Sequence, residues 1–215
     1  MLHFIGRYSG TDFLIVSIAF ILGIVLSLSF HEFAHAFVAY KMGDLNVKAQ
    51  GRLTINPLKH IDPIGFFCCA LFGFGWARPV PINPSNFRNI KKGIVWTSLA
   101  GVIANLILSF IFCGLLNLTL LINANNVFVN FLQFFTYYVA IINISLAVFN
   151  LLPIYPLDGF KFVEGVTKYN NSYVNFMYRY GTLVLIIVLI FFDYWLFDLI
   201  NLAFIPIQSF WNLIF

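Results

Sequence analysis

Four stretches of this chain are long and apolar enough to cross a lipid bilayer, and no other feature limits its fold as strongly. A span needs about 20 apolar residues at about 1.5 Å of rise each. The candidates run from Phe13 to Tyr40, Gly93 to Ile122, Val129 to Leu152 and Gly181 to Leu202. Composition points the same way. Of 215 residues, 61% are apolar and 9% charged, against about 45–50% and about 25% in an ordinary soluble domain. Too few polar side chains exist to cover a water-facing surface, which excludes a soluble globular domain and a disordered chain alike. The first stretch lacks an Ala-x-Ala-like cleavage site and runs directly into His31–His35, so it is expected to stay in place rather than act as a signal peptide. Cys68, Cys69 and Cys113 form no CxxC and no disulfide framework, and are read as small packing residues.

The basic residues then orient the spans. Lys41, Lys48, Arg52, Lys59, Arg78, Arg88, Lys91 and Lys92 fall between spans one and two, and Lys161, Lys168 and Arg179 between spans three and four. The loop around Asn123–Asn126 has none, and only Arg7 lies elsewhere. Positive residues favour the cytoplasmic side. Both basic loops are therefore expected there, with the two termini outside. The twelve basic groups read as topology signals, not as a nucleic-acid patch. This orientation requires the short apolar piece Ile64–Ala77, which holds Gly65, Gly73 and Gly75, to return to the side it entered from. The tail from Phe204 to Phe215 is expected along the interface, a position that suits Trp211. Val47–Ile55 alternates imperfectly before Asn56-Pro57 and predicts one or two short surface strands. The expected fold is an all-α membrane protein. It is a polytopic helical bundle of about four spans plus a re-entrant or short membrane element, with a small β element at the cytoplasmic surface. Residues 1–215 form a single domain in this reading.

Ionisable groups inside a membrane are costly and mark function by default. Phe30-His31-Glu32-Phe33-Ala34-His35 contains HExxH within the first span. Four-residue spacing puts both imidazoles on one helical face, where they can share a metal, and Glu32 lies beside them to polarise a water. A catalytic zinc site usually takes three protein ligands. His3 is expected near the outer end, Asp193 and Asp198 near the outer end of span four, and His60 in the cytoplasmic loop. Asp158, in Asn150-Leu151-Leu152-Pro153-Ile154-Tyr155-Pro156-Leu157-Asp158-Gly159, follows the third span into the cytoplasmic leaflet. That is also the depth of His31, about 27 Å along the first span. Residue chemistry alone leaves two readings of Asp158, a third ligand or a turn Asp before Gly159.

These motifs together resemble the site-2 protease family of intramembrane zinc metalloproteases, in its compact prokaryotic form, over most of residues 20–160. The likeness is carried by His31–His35 with Ala36 and Lys41–Asp44, by Gly51–Gly65, by Ala77-Arg78-Pro79-Val80-Pro81-Ile82-Asn83-Pro84 and by Asn150–Gly159. The family often has Gly-Pro-x-x-Asn in its second core helix; here the segment is Gly101-Val102-Ile103-Ala104-Asn105, without the proline. The resemblance implies one Zn2+ per chain held by His31, His35 and Asp158, with Glu32 as catalytic base. It implies a transmembrane protein substrate cut in the cytoplasmic half of its helix, the lipid bilayer as surroundings, and no nucleic-acid partner. Oligomeric state is left open. Asn105 and Asn150 are expected to face the substrate, and Asn143 to bond another helix. The alternative is a non-proteolytic zinc-binding membrane protein or a metal transporter. A transporter would carry ionisable groups through both leaflets, and the outer halves of spans two and three contain none.

Overall fold

The computed structural model describes residues 10–72, 76–124, 126–167 and 171–215. His3, Arg7, Gly73, Gly75, Asn125 and Lys168 lie outside the described residues. Eight α-helices follow in order: α1 (Gly10–Met42), α2 (Asn46–Ala49), α3 (Pro63–Phe72), α4 (Ile90–Leu120), α5 (Val127–Leu151), α6 (Asp158–Val166), α7 (Ser172–Phe191) and α8 (Asp193–Asn212). Four of them, α1, α4, α5 and α7, are long and apolar enough to cross a membrane. In lipid a helix satisfies its own backbone groups, which is why apolar sequence of this length folds this way. Three start at an Asn cap: the Asn89, Asn126 and Asn171 side chains accept from the backbone N–H groups of Lys92, Val129, and Tyr173 and Val174.

α1, α4 and α5 pack on one another and form the centre of the bundle. Small residues on α1 (Ser17, Ala19, Gly23, Ser27, Ala36 and Ala39) are buried there and let neighbouring backbones approach closely. Asn143 on α5 donates to Ser27 Oγ at 2.7 Å and to Val139 O at 2.8 Å, the interhelical bond expected of it.

Three expectations change. First, no strand forms over Val47–Ile55. Asn46–Ala49 is a helical turn instead, and Gln50 N–H closes onto Asn46 O at 2.9 Å. Val47 is fully buried against Ala36, Ala39, Val80 and Phe87, and one buried anchor among Lys, Ala and Gln suits a helical turn better than a pleated edge. Among the described residues there is no strand, and the single isolated bridge pairs Ile61 with Ala77. Second, the fourth span starts nine residues earlier than hydropathy places it and stops at Phe191, because the Asn171 cap sets its beginning. Third, the tail from Phe204 belongs to α8 and is packed on the bundle. Phe204 is buried with Cys113, Ala140 and Ile144, and Trp211 Nε1 donates to Phe110 O at 2.9 Å.

Between α1 and α4 the chain doubles back. α3 has 10 residues, about 15 Å of helix, half a hydrocarbon core. Arg78 N–H donates to His60 O at 2.7 Å, so the two ends of the α3 segment are adjacent. Residues 76–83 then pass the end of α1 without regular secondary structure, with Val80 packed on Ala36 and Ala39 and Ile82 N–H closing onto Val80 O at 2.9 Å. Asp44, fully buried, fastens that run: its carboxylate accepts from Asn83 N–H and from the Asn86 side chain, each at 2.8 Å, and from Asn46 N–H at 3.2 Å. Hydrogen bonds to a charged acceptor contribute about 1.5–3 kcal/mol each. Asp44→Ala is therefore expected to destabilise the fold by about 3 kcal/mol, since the orphaned donors cannot all reach water. Denaturant unfolding of the purified protein checks this; an unchanged midpoint would show that 76–86 is held by other contacts.

Candidate metal centre

The HExxH segment occupies the last third of α1, where His31, Glu32 and His35 are all buried. The third candidate ligand, Asp158, arrives from the segment that follows α5. α5 ends at Leu151, and Pro153 and Pro156 rule out a continuous helix, so the chain turns before restarting at Asp158. Gly159 permits this approach. A Cβ there would lie 2.3 Å from Leu151 O and 2.5 Å from Leu152 O, so only glycine lets α6 begin against the end of α5. The Tyr173 hydroxyl donates to Pro153 O and ties the turn to α7.

The outcome is a tight triangle. His31 Nε2 and His35 Nε2 lie 3.0 Å apart, and Asp158 Oδ2 lies 3.2 Å from the first and 3.0 Å from the second. Among the described residues this is the group of three or more metal-ligating side chains that converges on one point. Lys161 Nζ sits 3.2 Å from Asp158 Oδ1, leaving Oδ2 for the centre.

The ring environments indicate what the triangle is for. His35 Nδ1 lies 2.7 Å from Thr97 O on α4. A backbone carbonyl only accepts, so Nδ1 carries the proton and a neutral ring presents a bare lone pair at Nε2. That lone pair faces a second imidazole nitrogen and a carboxylate oxygen. Once both rings present Nε2 lone pairs, three acceptors this close in buried surroundings repel one another unless a cation sits among them. Donor atoms about 2.0–2.1 Å from a tetrahedral zinc would stand about 3.4 Å apart, close to the spacing here. Two imidazoles and one carboxylate also suit zinc better than the harder ions. The residues fit a zinc ion.

Glu32 stands apart from the triangle. One carboxylate oxygen accepts from Val80 N–H at 3.1 Å, a bond supplied by the run from 76 to 83. Pro79 and Pro81 have no N–H, so Val80 is the donor that this run can offer there. A cavity of about 210 Å³ opens over the centre, with His31, Glu32, His35, Asp158, Val80 and Asn150 on its wall. Asn150 faces it while its amide donates back to Leu146 O at 3.0 Å. Asn105 does not line this cavity. It is fully buried, with Nδ2 3.1 Å from His31 Nδ1.

Sequence reasoning brought forward His31, Glu32, His35, Asp158 and Asn150, and these share one cavity wall. It missed Val80 N–H, Thr97 O and Lys161. The first two are backbone groups, for which residue type carries no signal; Lys161 was counted only as a topology charge. Gly101, in the Gly101–Asn105 segment of α4, is where this helix meets the two rings. A Cβ at Gly101 would lie 2.5 Å from both His31 Cε1 and His35 Nε2. Alanine ordinarily stabilises a helix over glycine by about 1 kcal/mol. Gly101→Ala is expected to do the opposite here and to lower zinc content well below one per chain. Elemental analysis of the purified variant reads this directly, and wild-type zinc content would show that the rings have room to spare.

Comparison with known proteins follows the same line. The model of peptidase family M50 matches residues 119–189. A relative named "Putative zinc metalloprotease YwhC", from Bacillus subtilis, is 44% identical over 150 residues, covering 67% of each protein. Two relatives named "Putative zinc metalloprotease Rip2" align more widely. That of Mycolicibacterium smegmatis is 33% identical over 199 residues, 85% of this chain and 74% of the relative. That of Mycobacterium tuberculosis strain H37Rv is 30% identical over 205 residues, 86% of this chain and 74% of the relative. No solved structure matches the chain. With a buried metal-ligating triangle in a bundle of apolar helices and relatives at this level of identity, the chain belongs to peptidase family M50, the site-2 protease family, and is a zinc-type metalloprotease with multiple membrane-spanning helices.

Proposed function

We propose that this protein is an intramembrane zinc endopeptidase that hydrolyses a peptide bond in the cytoplasmic half of a substrate's transmembrane helix. The observation that carries the reading is the shared wall of one cavity. His31, His35 and Asp158 converge there, and Glu32 stands beside them without joining the triangle. In this reading His31, His35 and Asp158 hold one zinc per chain. When bound, zinc supplies Lewis-acid activation of a water and of the scissile carbonyl. Glu32 is the general base and then the acid: its carboxylate takes a proton from the attacking water and returns one to the leaving amine nitrogen. Val80 N–H holds one Glu32 oxygen, which leaves the other for that exchange. Asn150, on the cavity wall, faces the extended backbone of the substrate.

A transmembrane helix keeps its carbonyls bonded internally, so the substrate has to unwind locally before attack. The basic loops on either side of the cavity support a cytoplasmic position for it, with both termini outside and residues 1–215 acting as one domain in the cell membrane. The adjacency of His60 and Arg78 supports a re-entrant path for residues 64–77. A transporter or a purely zinc-binding role finds less support, because the described residues bring together one such metal-ligating group and no series of them.

Two measurements test this. Glu32→Gln is expected to abolish cleavage of a membrane-helix substrate by the purified protein in liposomes, by about 10²-fold or more, while zinc content stays at the wild-type level. Asp158→Ala is expected to lose both. Zinc loss from Glu32→Gln would make Glu32 a ligand and overturn its role as base. For topology, single cysteines at Lys48 and Arg88 are expected to label from the same, cytoplasmic side. Labelling from opposite sides would mean that residues 64–77 cross the membrane.

A further inference from the structure

The helix that contributes no candidate ligand holds both imidazoles from behind. Thr97, Gly101 and Asn105 are spaced by four on α4 and so lie on one face. Thr97 O takes His35 Nδ1, Gly101 lets α4 come close, and the Asn105 amide meets His31 Nδ1 at 3.1 Å. Asn105 is fully buried, and among the described residues its Oδ1 has no hydrogen-bond partner. It lines neither of the two cavities that adjoin the triangle, so substrate contact does not account for it.

We propose that Asn105 is a positioning residue for the metal: its side-chain oxygen accepts the Nδ1 proton of His31 and commits Nε2 to the ion. The inference rests on the reading of His31, His35 and Asp158 as zinc ligands. An imidazole that gives Nε2 to a metal carries its proton on Nδ1 and needs an acceptor there. His35 has a fixed one, since a backbone carbonyl cannot donate. His31 has a reversible one, because a side-chain amide offers oxygen on one edge and N–H on the other. In the arrangement seen, Nδ2 faces the ring and Oδ1 is the unpartnered atom. A half-turn of the amide pairs Oδ1 with Nδ1–H and moves the unpartnered position to Nδ2. The number of hydrogen bonds is the same in both orientations, so occupancy of the centre decides between them. Thr97 and Asn105 thus orient the two rings by different means, one permanent and one set by the ion.

The test is zinc affinity of the full-length protein in detergent, measured by competition with a chromophoric chelator for wild type, Asn105→Leu, Asn105→Asp and His31→Ala. Asn105→Leu keeps the bulk and removes the acceptor, and is expected to lower zinc affinity ten- to a hundredfold, about the range for loss of a partner behind a ligating histidine. Asn105→Asp keeps an acceptor oxygen and lacks the donor edge, and is expected to bind zinc at least as tightly as wild type. A merely structural amide would be damaged by both changes. Wild-type affinity in Asn105→Leu overturns the proposal. So does a tenfold loss in Asn105→Asp, which decides the matter even if the leucine variant does not fold. His31→Ala separates the two levels of the argument. Undiminished zinc in it overturns the ligand reading itself. Zinc lost there but kept in Asn105→Leu overturns only the positioning role.

Discussion

Two imidazole nitrogens and a carboxylate oxygen, all buried, stand 3.0–3.2 Å from one another at the heart of this bundle. When all three present lone pairs they repel, and in apolar surroundings little water is present to screen them. Everything around the triangle works to hold that arrangement. α1 supplies two corners at four-residue spacing. The proline-broken turn after α5 supplies the third, and Gly159 lets it arrive. A cation resolves the repulsion, so metal binding and folding of this region are linked.

The supporting contacts divide by direction. Behind the rings, α4 offers a carbonyl and an amide to the two Nδ1 atoms, with Gly101 as the gap that admits them. In front, residues 76–83 lie across Glu32 and give it the Val80 N–H. That run is anchored well away from the centre by Asp44, whose carboxylate takes three donors. The geometry of a proposed proton-transfer group thus depends on a carboxylate with no chemical role. Groups that hold the ligands and their neighbours in place, without touching the metal themselves, are typical of metal sites.

A membrane setting explains why so few polar residues are present and why several of them bond across the bundle or cap its helices. Ser27 and Asn143 pair between α1 and α5, the helix starts are capped by asparagine, and Trp211 finds a carbonyl on α4. Among the described residues, Asn105 Oδ1 and the Thr97 hydroxyl lack a partner behind the rings, and Ser17 Oγ, Ser109 Oγ, Asn143 Oδ1 and His60 Nδ1 lack one elsewhere.

The amino-acid sequence by itself determined the helical membrane class, the number of long spans and the HExxH face, because each depends on local quantities: hydropathy over about 20 residues and a period of about 3.6. Asp158 was legible only as one of two readings, since a turn Asp and a ligand look alike until the distant helix is placed. The surface strands expected over Val47–Ile55 were an error of the same origin. Alternation in nine residues is weak, and the burial of Val47 under α1 outweighs it. The beginning of α7 moved because a cap, not hydropathy, sets it. Only the tertiary structure decided which groups stand behind the rings and in front of Glu32. Those are a carbonyl, an N–H, the absence of a Cβ and the orientation of an amide. Backbone atoms are common to every residue, so their contributions emerge only when helices far apart in the chain are packed together.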